Sequence, residues 1–174
     1  SGLSFNSKNV KKNNIFFSII GTKINGNKYI KESIKKGAST IVSNLNFQGK
    51  KNNVLYIKTK SPRKLLSEIA SKFYKYKPLN LVAVTGTNGK SSVADFYLQI
   101  LKLNNKKAAS IGTLGVKTYL KNLKISNTTL DPISLNKHLQ NIKKHKIDNV
   151  ILEASSHGLK QHRFCLLYTS DAAD

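Results

Sequence analysis

The sequence predicts an α/β protein with a mostly parallel sheet, arranged as a small N-terminal α/β domain followed by a phosphate-binding domain. Short apolar β-type runs alternate with amphipathic helical stretches along the chain, and this alternation is typical of parallel sheets flanked by helices. Residues 81–92, LVAVTGTNGKSS, have the pattern of a strand, a glycine-rich loop and a helix. A second apolar run, 150–152, ends at Glu153. We therefore expect both polar segments at the carboxyl ends of strands, where such folds bind ligands.

The first part of the chain is predicted to be a small α/β unit. Its strand candidates are 15–20, 40–42 and 54–57. A helix is predicted at 27–36 and ends before Gly37, because glycine commonly follows the last helical turn. A second helix at 61–76 begins with Ser-Pro, which suits a helix start. Residues 77–80, KPLN, then mark the predicted domain boundary, so that the first domain is 1–78.

The second predicted domain, 79–163, continues the alternation of strands and helices. Five apolar residues after the glycine-rich loop are spaced as one helix face that we expect to be buried: Val93, Phe96, Tyr97, Ile100 and Leu101. A strand at 108–111 ends at Gly112, and a polar, lysine-rich loop follows to residue 129. Asp131 and Pro132 begin another helix, and 149–153 is the last strand candidate.

The loop after Val84 has the composition of a phosphate-binding loop. Gly86 and Gly89 can adopt backbone angles closed to other residues, so that successive N–H groups can surround an anion. Lys90 adds a positive charge, Ser91 offers a hydroxyl to Mg²⁺, and the helix N-terminus favours the same anion. Val84 stands where the ordinary P-loop has its first glycine, so this loop is a variant form. A glycine-rich turn with a solvated lysine is the alternative interpretation.

Glu153 has two interpretations, as a Mg²⁺ ligand or as a surface carboxylate at the end of a strand. The polar residues that follow it directly, ASSHG at 154–158, favour a site. The row Asn127, Thr128 and Thr129 has both a binding and a turn interpretation. Arg163 is one of only two arginines in the chain, and arginine forks onto carboxylate or phosphate.

Composition restricts the class of protein. The formal net charge is +22, but the charge is carried almost entirely by lysines spread along the chain, whereas nucleic-acid sites cluster arginines and aromatic residues on one face. Cys165 is the only cysteine, so an internal disulfide is excluded and a reducing, cytoplasmic setting is expected. The sequence contains no apolar run of transmembrane length and no signal-peptide pattern. The expected partners therefore include neither nucleic acid nor membrane, and the expected state is a monomer.

Three motifs, in this order and at these intervals, resemble the Mur ligase family: TGTNGKSS at 85–92, SNTT at 126–129 and EASSHGLKQHR at 153–163. The third is similar to the branch that adds a diamino acid to a UDP-N-acetylmuramoyl-dipeptide, and residues 15–30 resemble the uridine-binding segment of that branch. Another Mur ligase or a folylpolyglutamate synthase is the alternative within the family. Lys8 stands where the branch usually has arginine, which weakens a forked contact at that position.

The resemblance implies a UDP-binding domain followed by a partial P-loop domain, with ATP and Mg²⁺ as cofactors. It implies ATP contacts from Gly86, Thr87, Asn88, Gly89, Lys90, Ser91 and Ser92. It implies Lys90 and Glu153 as catalytic residues, and Ser91 and Glu153 as Mg²⁺ ligands. It implies contacts to the UDP part of the substrate from Phe5, Ser7, Thr22, Lys23 and Ile24. It implies contacts to the muramoyl-dipeptide from Asn127, Thr128, Thr129, Ser155, Gln161 and Arg163.

The implied reaction is ATP-dependent amide-bond formation in peptidoglycan precursor synthesis. An acyl phosphate forms on UDP-N-acetylmuramoyl-L-Ala-D-Glu and is attacked by the amine of diaminopimelate or lysine. The family continues to further catalytic residues and a C-terminal domain, so we expect this chain to be inactive alone. Residues 164–174 do not match the family pattern and are interpreted as a foreign tail. The alternatives from other classes are a basic nucleic-acid-binding module and a P-loop fragment whose unfinished sheet does not fold stably.

Overall fold

The computed structural model describes residues 2–21, 24–112, 115–118, 122–123 and 131–164, with only the backbone of 122–123 described. The chain divides at residues 69 and 70 into two compact units, which we call the N-terminal unit (1–69) and the C-terminal unit (70–174). The sequence places the domain boundary later, at 77–80, and that boundary stays a prediction. Both units combine helices with mostly parallel sheets, so the predicted α/β class is confirmed.

The N-terminal unit is built on one sheet with the strand order β1-β2-β3-β5-β4, in which only β4 runs antiparallel to its neighbour. Its elements are β1 (Gly2–Ser4), β2 (Asn14–Phe17), α1 (Ile30–Lys35), β3 (Ala38–Ser43), β4 (Gly49–Lys51) and β5 (Val54–Lys58), and α2 (Pro62–Phe73) runs across the division at residues 69 and 70. Phe16, Phe17, Ile41 and Val42 are fully buried. Because consecutive strand residues point to opposite faces, both faces of this sheet are covered, as parallel sheets require.

The C-terminal unit contains a second sheet with the order β6-β10-β7-β8-β9. Its elements are β6 (Asn80–Val84), α3 (Lys90–Leu103), β7 (Ala108–Gly112), β8 (Gly115–Thr118), β9 (Asn122–Leu123), α4 (Pro132–Lys144), β10 (Asn149–Glu153) and α5 (Ser156–Lys160). Strands β6, β10 and β7 are parallel, whereas β8 and β9 continue the sheet antiparallel. This arrangement sets the carboxyl end of β10 between the ends of β6 and β7, where both candidate site segments lie.

Local sequence explains several element ends. Asp131 caps α4, because its carboxylate accepts hydrogen bonds from the backbone N–H groups of Ile133 and Ser134. Gly37 follows α1 with a φ of +93°, as the sequence predicts. Strand β4 lies between the strand candidates 40–42 and 54–57, where the sequence predicts no strand. Asn52 and Asn53, with φ of +47° and +61°, form the two-residue turn that pairs it with β5.

The predicted buried face of α3 is wrong for three of its five residues. Val93, Phe96 and Ile100 are 48%, 60% and 58% exposed, whereas Tyr97 and Leu101 are half-buried. The helix packs on β7 and β10, and the residue that it buries is Ala94, which is 2% exposed. A small residue lets a helix approach a sheet closely. Apolar residues lie on more than one face of α3. Their spacing in the sequence therefore does not show which face of the helix packs on the sheet.

Within the described part of the chain, no helix combines the length and the apolar character needed to span a bilayer.

Candidate functional site

The loop between β6 and α3 is exposed and depends on two glycines with positive φ. Gly86 has a φ of +149° and Gly89 a φ of +78°, and Gly89 is the N-cap residue directly before α3. A Cβ atom at Gly89 would meet nothing within 4 Å, so the backbone angle, not crowding, favours glycine there. The predicted order of strand, loop and helix over 81–92 is confirmed.

The side chain of Lys90 folds back over this loop. Its Nζ donates hydrogen bonds to the carbonyl oxygens of Gly86, at 2.6 Å, and Thr87, at 3.2 Å. These two contacts hold the ammonium group beside the loop backbone. A positive charge is therefore positioned where an anion in the loop would be bound.

Ser91 and Glu153 are brought together from distant parts of the sequence. The Ser91 hydroxyl donates to Glu153 Oε2 at 2.8 Å, and Glu153 is only 6% exposed. The sheet creates this contact, because Glu153 pairs in register with Val84, the last residue of β6. The backbone N–H of Ala154 then donates to the Val84 carbonyl at 2.9 Å. Of the two interpretations of Glu153, the surface carboxylate is therefore wrong.

Ser91 and Glu153 offer the ligand types that Mg²⁺ prefers, a hydroxyl and a carboxylate oxygen. Within the described part of the chain, no group of three or more His, Cys, Asp or Glu residues is placed to hold a metal ion. Magnesium does not need such a group, because it keeps several waters and binds through one or two protein ligands and the phosphates of its nucleotide. The two side chains therefore fit a nucleotide-bound Mg²⁺.

Gly112, at the carboxyl end of β7, provides the space that the Glu153 carboxylate occupies. A Cβ atom built on Gly112 would lie 2.1 Å from both Cδ and Oε1 of Glu153. The sequence predicts Gly112 only as a strand end, so its role beside the site is not anticipated. The available signal is its position, a glycine at the carboxyl end of a strand in the sheet that carries the glycine-rich loop.

The segment after β10 forms a short helix and a turn that group the predicted substrate residues. Ser155 caps α5, since its Oγ accepts a hydrogen bond from the Gly158 N–H at 3.1 Å. Arg163 forks onto Gln161, with Nε and Nη2 at 3.0 and 2.7 Å from Oε1. The Gln161 amide nitrogen also lies 2.5 Å from Nε2 of His157. The structure thus brings Gln161 and Arg163 together.

Phe164, the first residue of the predicted tail, lies in the core of the C-terminal unit. It is 3% exposed and belongs to the cluster that contains Leu139 and Leu152. Residues 165–174, the remainder of that tail, lie outside the described residues.

The predicted UDP contacts differ in their exposure. Phe5 and Ile24 are 40% and 60% exposed, whereas Ser7 is 6% exposed. Ser7 already has partners, because its carbonyl accepts from Lys36 Nζ at 3.1 Å. Hydrogen bonds from Lys36, and secondarily from Ser7, lower the pKa of Glu32.

The predicted contacts Thr22, Lys23, Asn127, Thr128 and Thr129 lie outside the described residues.

Two family models match this chain. Residues 84–173 match the Mur ligase middle domain, and residues 1–74 match the model described as Mur ligase family, catalytic domain. The first match covers more than half of the 174 residues. The chain belongs to the Mur ligase family.

This Mur ligase chain is similar to UDP-N-acetylmuramoyl-L-alanyl-D-glutamate–2,6-diaminopimelate ligases of known sequence. The Rickettsia montanensis protein is 44% identical over 168 residues, which cover 93% of this chain and 34% of that protein. The Rickettsia conorii protein is 45% identical over 168 residues, with the same two coverages. The chain therefore spans about a third of the length of the curated relatives that it matches.

Solved structures of Mur ligases resemble the fold. A UDP-N-acetylmuramoyl-L-alanyl-D-glutamate–2,6-diaminopimelate ligase matches with a TM-score of 0.76 at 25% identity, over 93% of this chain and 33% of that one. MurF ligase from Thermotoga maritima, solved in complex with ADP, matches with a TM-score of 0.58 at 19% identity, over 88% and 32% of the two chains. The second likeness shows the fold alone.

In this Mur ligase chain, Asp148 ties the starts of the two strands that carry the site. Its Oδ1 accepts from the Leu79 N–H at 3.2 Å, and its carbonyl accepts from the Asn80 N–H at 2.8 Å. Lys143 Nζ donates to the same carboxylate. The Lys143 hydrogen bond lowers the pKa of Asp148, and the Leu79 contact acts in the same direction, while burial opposes both. These contacts help to hold β6 and β10 in the register that joins Ser91 to Glu153.

Proposed function

We propose that this chain supplies the UDP-substrate-binding and ATP-binding parts of a Mur ligase that joins 2,6-diaminopimelate to UDP-N-acetylmuramoyl-L-alanyl-D-glutamate. The choice of diaminopimelate over lysine rests on the similar Rickettsia proteins, which are 2,6-diaminopimelate ligases. The single observation that carries the catalytic part is the Ser91–Glu153 hydrogen bond of 2.8 Å beside a loop that also holds Lys90. The proposed setting is peptidoglycan precursor synthesis in the cytoplasm, by a monomer that binds neither nucleic acid nor membrane.

The proposed reaction has two steps. The side-chain carboxylate of D-glutamate attacks the γ-phosphorus of ATP, which forms an acyl phosphate and releases ADP. The amine of diaminopimelate then attacks the acyl carbon, loses a proton and expels inorganic phosphate. The first step brings a carboxylate against the anionic phosphates of ATP, so positive charge and N–H donors fixed near the γ-phosphate favour its transition state.

In this proposal residues 86–92 bind the phosphates of ATP. The loop N–H groups and Lys90 offset the negative charge of the β- and γ-phosphates, and Lys90 exchanges its carbonyl contacts for phosphate contacts. Bound Mg²⁺ would supply further charge neutralisation between the phosphates. Ser91 and Glu153 would hold it. Lys90 and Glu153 are accordingly the proposed catalytic residues.

The proposed substrate contacts form two groups. The UDP part is assigned to the N-terminal unit, through Phe5, Ser7, Thr22, Lys23 and Ile24. The muramoyl-dipeptide is assigned to Asn127, Thr128, Thr129, Ser155, Gln161 and Arg163. The fork of Arg163 on Gln161 supports the second assignment, because it holds the guanidinium in a fixed orientation in which it can also meet a carboxylate.

Calorimetric titration of this chain tests the proposal. We expect saturable binding of Mg-ATP that is lost in Lys90→Ala and retained in Lys102→Ala, which removes the same charge from the exposed last turn of the same helix. We also expect saturable binding of UDP-N-acetylmuramoyl-L-Ala-D-Glu that Arg163→Ala abolishes. A folded sample that binds neither ligand would contradict the proposal. Equal losses in the two lysine variants would indicate general charge attraction instead.

A further inference from the structure

His157, Gln161 and Arg163 form a series of side-chain contacts shortly after β10. The amide nitrogen of Gln161 lies 2.5 Å from Nε2 of His157. The Gln161 Oε1 atom lies 3.0 and 2.7 Å from Nε and Nη2 of Arg163. The proposed function assigns substrate contacts to Gln161 and Arg163 and no role to His157. These contacts therefore link an unassigned histidine to a proposed substrate contact.

The backbone fixes the relative positions of these three residues. His157 lies in α5 and Gln161 directly follows it, four residues later, so both side chains lie on the same face of the helix. The chain then turns at His162, whose φ is +54°. The N–H groups of His162 and Arg163 donate back to carbonyls of α5 at 2.9 and 3.0 Å, which is the Schellman arrangement found at many helix ends. This turn brings Arg163 beside Gln161.

The chemistry of the guanidinium determines which facing atom donates and which accepts. A guanidinium has N–H donors and no acceptor, so the Gln161 atom that meets both Nε and Nη2 of Arg163 must be the amide oxygen. The amide nitrogen of Gln161 consequently faces His157 and donates to it. His157 Nε2 is therefore the acceptor, and the neutral imidazole carries its proton on Nδ1.

An acceptor at His157 stabilises one of the two orientations of the Gln161 amide. In the opposite orientation, the amide N–H groups of Gln161 would face the N–H groups of Arg163, and donors would oppose donors. With the imidazole as acceptor, the observed orientation has a hydrogen bond at each end of the amide, and hydrogen bonds in such a series strengthen one another. The planar guanidinium is thereby held in the orientation in which it meets a carboxylate.

We propose that His157 is a positioning residue for Arg163. Its Nε2 accepts from the Gln161 amide and so keeps Gln161 Oε1 turned toward the guanidinium that binds the anionic dipeptide part of the substrate. The inference rests on the proposed function, in which Arg163 contacts the muramoyl-dipeptide. It adds a residue that acts through Gln161 and does not itself touch the substrate.

Two substitutions at His157 test the inference by calorimetric titration with UDP-N-acetylmuramoyl-L-Ala-D-Glu. His157→Leu removes the acceptor, and we expect the Kd to rise by about fivefold, as for the loss of roughly one hydrogen bond. His157→Gln offers an amide oxygen as acceptor in place of the imidazole, and we expect a Kd within about twofold of the wild-type value. This rescue separates an acceptor role from a merely structural one.

The control variant is His145→Leu, which removes an exposed imidazole at the end of α4 and should leave the Kd unchanged. His157 is exposed, and leucine and glutamine are both good helix formers. A thermal unfolding curve should therefore show that all three variants fold.

Nitrogen NMR of the folded chain without ligand measures the His157 contact directly. At about pH 8 the imidazole of histidine is neutral, and we expect a proton on Nδ1 of His157 and none on Nε2. A proton on Nε2 would overturn the inference, because two donors would then face each other. Equal Kd values for wild type and His157→Leu would also overturn it, as would a His157→Gln variant that binds as weakly as His157→Leu.

The Arg163→Ala variant separates this inference from the proposed function. Substrate binding that is lost in Arg163→Ala and unchanged in His157→Leu would overturn the inference alone. Absence of substrate binding by the folded wild-type chain would overturn both.

Discussion

Gly112 and Glu153 lie so close together that a side chain on Gly112 would overlap the Glu153 carboxylate. A Cβ atom on Gly112 would lie 2.1 Å from the carboxyl carbon of Glu153, well inside any permitted contact. The two residues end adjacent strands, β7 and β10. The glycine therefore leaves room for the carboxylate that accepts the Ser91 hydrogen bond.

Gly112→Ala is expected to displace Glu153 while leaving the fold intact. The clashing atoms belong to the Glu153 side chain, so the carboxylate can move away from the new methyl group, and we expect the unfolding free energy to fall by about 1–3 kcal/mol because the site is buried. The displaced carboxylate would no longer meet Ser91, and affinity for Mg-ATP should fall by about tenfold or more. Calorimetry measures the affinity and urea unfolding the stability.

The control for this variant is Gly2→Ala in the N-terminal unit. Its Cβ would meet only the side chain of Asn14, at 3.0 Å, and Mg-ATP affinity should not change. An alanine at Gly112 that leaves Mg-ATP affinity at the wild-type value would show that Glu153 does not need this space.

Ser91→Ala should weaken the magnesium dependence of nucleotide binding. The variant removes the hydroxyl that meets Glu153 Oε2 and that is proposed to bind Mg²⁺. We expect the Mg²⁺ concentration for half-maximal ATP binding to rise by about tenfold, with little change in the affinity for ATP measured without Mg²⁺. Ser91→Thr keeps the hydroxyl and serves as the control. Equal Mg²⁺ requirements in wild type and Ser91→Ala would contradict the assignment.

Much of the site could be predicted from local sequence, because its elements are short and strongly patterned. The strand, loop and helix over 81–92 need only apolar spacing and glycine positions. The strand that carries Glu153 is an uninterrupted apolar run. The pairing of Ser91 with Glu153 is less local, since it depends on β10 lying next to β6, and the general placement of ligands at strand ends anticipates it.

Other features depend on contacts that spacing does not encode. Gly112 matters because the Glu153 carboxylate, on the adjacent strand β10, occupies the space beside it. The residues next to Gly112 in the sequence do not indicate this contact. The exposed side of α3 is predicted as buried because Val93, Phe96 and Ile100 have helical spacing, although the sheet packs against Ala94. Strand β4 escapes prediction because its residues are polar and only its Asn-Asn turn signals a hairpin.

The exposed face of α3 gives a test of this packing. Phe96 is 60% exposed, so Phe96→Gln should change the unfolding free energy by less than about 0.5 kcal/mol. Leu139 on α4 is fully buried, and Leu139→Ala should cost about 2–5 kcal/mol through lost contacts and a cavity. Urea unfolding of both variants measures the difference. A loss for Phe96→Gln as large as that for Leu139→Ala would show that the helix face is buried in solution, as the sequence pattern predicts.

The acid sensitivity of the C-terminal unit should depend on Asp148. Its pKa is lowered in the folded state, first by the Lys143 hydrogen bond and then by the Leu79 N–H. A carboxylate with a lowered folded-state pKa contributes stability that is fully present above its unfolded pKa of about 3.9 and is lost as the pH falls through the folded value. Asp148→Asn removes the titrating group, so the stability difference from wild type should be constant above about pH 5 and should shrink below about pH 4.

Lys143→Gln separates the causes of this effect. It removes the largest contribution to the lowered pKa of Asp148 and leaves the Leu79 contact in place. The pH-dependent part of the stability should therefore be smaller, and its loss should be complete at a higher pH than in the wild type, while the loss begins near the same unfolded-state pKa in both proteins. Urea unfolding between pH 3 and pH 7 measures all three proteins. A stability difference between wild type and Asp148→Asn that stays constant down to pH 3 would show that the Asp148 contacts do not form in solution, and that the register of β6 and β10 is held by their backbone pairing alone.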